Sequence, residues 1–185
     1  MKPREIAGPL SATLQPIAEN VAGVIRTPKD TEFFLFENRQ QEGWDTYIPG
    51  HGMLIWHIDY NQGVFDSNKV NNTPSHQYVD IEEADGTQNE YSRDGDAFPG
   101  SSNKTSFTST TSPALKTWNN TRIDLPITEI SENDGLITFN VSGGGTSVVP
   151  VPEVFDAEDI LSDQFTITWT PVDGYDAIVN VFTRM

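Results

Sequence analysis

Residues Thr31–Tyr60 read TEFFLFENRQQEGWDTYIPGHGMLIWHIDY. Two dense apolar runs, Phe33-Phe34-Leu35-Phe36 and Met53-Leu54-Ile55-Trp56, flank a polar segment carrying Gly43, Pro49, Gly50 and Gly52. Runs this short, and this rich in aromatic and branched residues, predict buried strands. The glycines and proline between them let the chain reverse. Both strands end in polar residues, Glu37-Asn38-Arg39-Gln40 in the first and His57-Ile58-Asp59 in the second. From Met53 to Tyr60 both alternate faces are apolar, so this strand is expected to be central and covered on both sides. His57, beside Asp59, reads as a buried, hydrogen-bonded histidine. A metal or catalytic role would need partners, and the only other histidines are His51 and His76.

Upstream, Met1 to Pro9 reads as a loosely ordered lead-in. Ala12–Ile17 and Val21–Ile25 read as a strand pair feeding the Phe-rich strand. Asn61–Gln77 is polar and turn-rich and reads as a long loop. A short strand follows at Tyr78–Glu83, with Asp80 and Glu82 on one face and Val79, Ile81 and Glu83 on the other. Ser101–Thr117 is Ser/Thr-rich loop. Ile123–Ile130 and Gly135–Val141 read as a closing hairpin, because Asp134-Gly135 is a strong two-residue turn signal. Ser142 to Ser147 is a Gly/Ser linker by composition, and two prolines follow it.

The expected fold is therefore mainly β: an antiparallel, sandwich-like domain with long loops over 1–142, a linker at 143–152, and a short β segment at 153–185. That last segment is too short to enclose a sandwich core, which takes about 100 residues, and it reads as a truncated extension.

The 185 residues carry 27 Asp and Glu against 11 Lys and Arg, a net charge of −16. Such a surface repels a phosphate backbone, which argues against nucleic acid as a partner. It suits solubility or oxygen-rich cation sites. With no cysteine, disulfides, thiolate zinc sites and a cysteine nucleophile are excluded. No apolar run reaches the ~20 residues that span a bilayer.

The densest local chemistry is acidic. Asp80, Glu82, Glu83, Asp85, Asp94 and Asp96 fall within 17 positions, bracketed by Gly86, Gly95 and Gly100. Hard cations take six to eight oxygens, and glycine-rich loops can fold carboxylates around one ion. Asp80, Glu82, Asp85, Asp94 and Asp96 are thus candidate calcium ligands. Their spacing does not follow the EF-hand pattern. A solvated acidic loop, or a carboxylate pair in acid–base work, is the other reading of the same residues.

EFFLFENRQQEGWD, PGHGMLIWHIDY, VDIEEADG and GDAFPG, in that order, resemble the later part of the catalytic region of immune inhibitor A-type metallopeptidases, which are secreted bacterial zinc endopeptidases. The resemblance covers about residues 12 to 142, including ISENDGLITFNV. From Pro150 onward, with Trp169-Thr170-Pro171, the chain resembles the opening strands of a fibronectin type III-like module. The family binds zinc through H-E-x-x-H on a helix, and this chain has no such motif. The resemblance implies a non-catalytic portion of a longer secreted or cell-surface enzyme, whose zinc lies in a preceding N-terminal catalytic domain. That domain is the expected partner, and a protein or peptide is the expected substrate of the whole enzyme. The alternative is a free-standing secreted β module for adhesion. It would use aromatics near turns, Trp44, Tyr47 and Trp118, each of which reads first as core.

Overall fold

A computed structural model describes residues 3–145. By compactness the chain divides at Ser147/Val148, and the described residues belong to the first unit. The fibronectin-like reading of 153–185 lies outside the described residues.

The domain is mainly β, in two sheets. The first has five strands in the order β1-β3-β4-β5-β6. They are β1 (Arg4–Glu5), β3 (Gly23–Arg26), β4 (Glu32–Arg39), β5 (Gly52–Asp59) and β6 (Val79–Ile81). The two apolar runs form β4 and β5, paired antiparallel from Glu32 opposite Asp59 to Arg39 opposite Gly52. Strand β3 flanks β4 antiparallel, β1 joins β3 in parallel, and β6 closes the other edge against β5. The second sheet holds β2 (Leu10–Leu14), β8 (Leu136–Val141) and β7 (Ile127–Asn133), with β8 in the middle.

The hairpin β7–β8 turns at Asp134 and Gly135, both at positive φ. This is the backbone that Asp-Gly supplies at little cost in a two-residue turn. The strand pair expected before β4 does not form. Strand β2 leaves for the second sheet and pairs with β8, while β3 alone pairs with β4. The chain changes sheets through a short 3-10 turn at Ile17–Glu19, and Asn20 beyond it is left-handed. Asn tolerates that conformation better than most residues. The glycines 143–145 begin the expected linker but stay against β2: Gly145 O accepts from Ser11 N–H at 2.9 Å.

One core joins both sheets. Ile25, Phe34, Phe36, Met53 and Ile55 from the first meet Leu14, Ile127, Ile130, Ile137, Phe139 and Val141 from the second. Phe98, Phe107, Leu115 and Ile123 come from the loop-rich region between β6 and β7 and complete it. A buried phenylalanine removes 150–250 Å² from water, so these aromatics dominate the burial term. Asn38 is fully buried at the far end of β4 and stitches the sheets together. Its amide donates to Leu14 O at 2.9 Å and to Gly135 O at 2.8 Å.

Strand β5 departs from expectation on one face. Met53, Ile55, His57 and Asp59 are buried, but Leu54, Trp56 and Ile58 are only half-buried. A groove lies over Leu54 and Trp56. The loop 61–77 also contains a one-turn helix, α1 (Gln62–Asp66), capped by Asn61 Oδ1 accepting from Val64 N–H at 3.2 Å. No helix among the described residues is long and apolar enough to cross a membrane.

Candidate functional site

Two groups of charged side chains meet at the β5–β6 end of the first sheet. One is folded inward around His57. Its Nε2 lies 2.8 Å from Glu32 Oε1 and its Nδ1 lies 3.1 Å from Glu82 Oε1. Glu32 Oε1 also accepts the Trp118 backbone N–H at 2.7 Å. The imidazole stacks on Phe34 at 4.3 Å and on Trp118 at 5.1 Å. His76 stacks on Trp118 and Tyr78, and its Nε2 lies 2.8 Å from Asp59 Oδ2. Asp59 also takes Lys29 Nζ at 2.6 Å and Thr31 Oγ1 at 3.1 Å.

Burial acts to lower the His57 pKa, but hydrogen bonds and attraction from Glu82 and Glu32 outweigh it, and the net direction is upward. The two carboxylates therefore favour the protonated form of His57. Burial acts to raise the Asp59 pKa, yet Lys29, His76 and Thr31 hold it below its ordinary value. The expectation of a buried, hydrogen-bonded His57 holds. Trp118 belongs to this assembly; its Nε1 is buried with no hydrogen-bond partner.

The second group lines the groove, about 620 Å³ in volume. Its floor is the outward side of the sheet, Leu54, Trp56, Val79 and Ile81. Trp56 Nε1 donates to Glu37 Oε1 at 3.0 Å, which orients the indole. Arg39 pairs with Glu37 at 3.0 Å and Asp45 at 2.8 Å, so its charge is already engaged by two carboxylates. Residues 48–50 form one wall and residues 88–97 the other.

The second wall is held close by backbone. Ala84 N–H donates to Asp96 O at 3.0 Å, and Met53 and Phe98 exchange two bonds of 2.7 and 2.8 Å. Glycine permits this approach at two places. A Cβ on Gly50 would lie 2.8 Å from Asp94 O, and one on Gly52 would lie 2.7 Å from Phe98 O. The spacing of the PGHG stretch therefore has a packing cause.

Asp80, Glu83 and Asp96 reach this groove, Asp80 from the edge strand. None of them has a Lys or Arg within ion-pair distance among the described residues. Asp80 accepts only from Gln88 Nε2 at 3.0 Å among side chains. Asp96 Oδ1 is buried with no partner at all. Burial, then repulsion from Glu83 and Glu82, pushes Asp80 up to about 6. Burial, then repulsion from Asp85, pushes Asp96 up to about 6. Burial raises Glu83 as well, and Asp96 adds to the effect.

The candidate calcium ligands are thus dispersed. Glu82 turns inward to His57. Asp85 Oδ1 accepts Thr87 N–H at 2.8 Å, while the carboxylate packs on Gly95. Asp94 is exposed on the 3-10 turn Arg93–Gly95. Asp80 and Asp96 reach the groove. Among the described residues no three His, Asp or Glu are placed to hold one metal ion. The histidines do not fit a catalytic zinc either. His51 pairs with Glu132, His57 with Glu32 and Glu82, and His76 with Asp59. Trp44 and Tyr47, first read as core, stand fully exposed, and Tyr91 on the opposite loop is exposed too.

Sequence reading missed the groove and the roles of Glu32, Lys29 and Gln88. Glu32 had one signal, a charge at the border of the Phe-rich run and far from any turn glycine. No family model, curated protein or solved structure matches the chain.

Proposed function

We infer that this chain is the β-rich, non-catalytic part of a secreted bacterial zinc metalloendopeptidase of the immune inhibitor A type, and that it buttresses the catalytic domain. One observation carries the reading. Four of the five stretches that bear the resemblance line the same groove: Glu37 and Arg39 from the first, Leu54 and Trp56 from the second, Asp80 and Ile81 from the third, Asp96 and Ala97 from the fourth. The catalytic zinc belongs to the preceding domain, and no catalytic step is assigned to this chain.

Reading the coding sequence upstream of Met1 tests this directly. An in-frame H-E-x-x-H within the length of a catalytic domain is expected; a stop codon immediately upstream would overturn the reading. Purified chain supplied with zinc is expected to leave casein intact. Zinc-dependent, chelator-sensitive proteolysis by pure material would contradict the non-catalytic assignment.

A second reading, a free-standing adhesion module, rests on the full exposure of Trp44 and Tyr47. Exposed aromatics of that size are uncommon without a partner. The upstream stop codon is the result that favours it.

A further inference from the structure

We propose that the groove over Leu54, Trp56 and Ile81 is a docking site for an extended polypeptide segment that alternates apolar side chains with lysine or arginine. The floor supplies the apolar half of the argument. Strands β5 and β6 present half-buried apolar side chains, Leu54, Trp56, Val79 and Ile81, where a closed β layer would be covered, and the loops leave a channel about 620 Å³ in volume above them.

Charge complementarity supplies the other half. Asp80, Glu83 and Asp96 line the channel with no Lys or Arg within ion-pair distance among the described residues; Arg93 on the wall attracts Asp96 from further off, but burial and repulsion from neighbouring carboxylates still hold all three above their ordinary pKa. A folded domain retains such a cost where a partner relieves it. The carboxylates come from two segments, Asp80 and Glu83 at the β6 end and Asp96 from residues 88–97, and among the described residues no three acidic or histidine side chains are placed around one point. That spread suits several cationic side chains along a strand better than a single ion. Arg39 does not relieve them, because Glu37 and Asp45 already hold it. Asn71 Nδ2 donates to Val79 O at 2.8 Å and blunts the open edge of β6. Recognition is therefore assigned to side chains in the channel, not to addition of a strand.

This deepens the proposed function by naming the chemistry of the groove's occupant, and it can fail separately. An unbound peptide would remove the docking site, while the peptidase assignment falls only on the upstream reading frame or on zinc-dependent proteolysis by the chain itself.

The test is calorimetric titration of the full chain with an acetylated, amidated hexapeptide of alternating leucine and lysine. Two hexapeptides serve as controls, alternating leucine with glutamate and glycine with lysine. The leucine–lysine peptide is expected to bind at least about tenfold tighter than either control, since 1.4 kcal/mol of differential interaction is tenfold. The double variant Asp80→Asn, Glu83→Gln is expected to lose about tenfold for that peptide. Its thermal transition should be no lower than that of the unsubstituted chain, which shows that folding is intact. Equal binding of the peptides, or equal binding by the folded double variant, overturns the proposal. So does calcium at millimolar level if it binds the chain and displaces the peptide completely, for the groove would then be a metal site.

Discussion

The inward and groove-facing charges of this domain lie within one strand of each other and are treated in opposite ways. Around His57 every buried carboxylate has a close polar or cationic partner: His57 on Glu32 and Glu82, Lys29 and the His76 ring on Asp59. In the groove, Asp80, Glu83 and Asp96 have no Lys or Arg within ion-pair distance among the described residues. The inward cluster is built for stability, because removing one member strands the others in a poorly solvated site. The groove carries a cost in the isolated domain, and such costs are characteristic of surfaces that meet something else.

The largest expected effect breaks the inward cluster. His57→Leu removes the group that bridges Glu32 and Glu82 and the ring packed on Phe34 and Trp118. Loss of about 3–5 kcal/mol in urea unfolding is expected. A loss below ~1 kcal/mol would mean the cluster is solvated and the contrast is false.

The next effect is pH-dependent. His57 has a raised folded pKa, so its contribution is complete below the ordinary histidine value and is lost as pH rises through the folded value. Asp80 and Asp96, at about 6 in the folded chain, keep protons that the unfolded chain has already released. Their contribution is likewise lost as pH rises from the ordinary aspartate value through about 6. Asp59, held low, acts in the opposite sense, but only as pH falls below the ordinary aspartate value. The melting temperature at about pH 5 is therefore expected to exceed that at about pH 8, by several degrees. A flat or rising profile over that range would contradict both halves of the comparison.

A smaller effect comes from Lys29→Ala. The lysine side chain is 51% exposed, and Asp59 keeps His76 and Thr31, so about 1 kcal/mol is expected from urea unfolding. A loss as large as that of His57→Leu would place the weight of the cluster on Asp59 instead.

Strands β4 and β5 were legible because apolar runs of that density have few places to go but a core. The β7–β8 hairpin was legible because Asp134-Gly135 names its own turn. The partner of β2 was not legible: Ser11 meets Asn140 across 129 positions, and no local pattern encodes that choice. The acidic stretch was visible as a stretch, yet its members have different fates. Glu82 bonds His57, while Glu83, one residue on, reaches the groove. Composition weighs the two alike, and both lie just past the end of β6, where strand alternation no longer assigns a face. Trp44 and Tyr47 misled for a related reason. Aromatic character predicts burial on average, but both sit on the connection between β4 and β5, outside the paired strands.

The contrast between the two regions is tested most directly by urea unfolding at neutral pH of the double variant Asp80→Asn, Glu83→Gln. Removing two unpaired anions without changing shape is predicted to make the domain more stable than the unsubstituted chain. Equal or lower stability would show that these carboxylates are already satisfied in the free domain, and the groove would no longer stand apart from the cluster behind it.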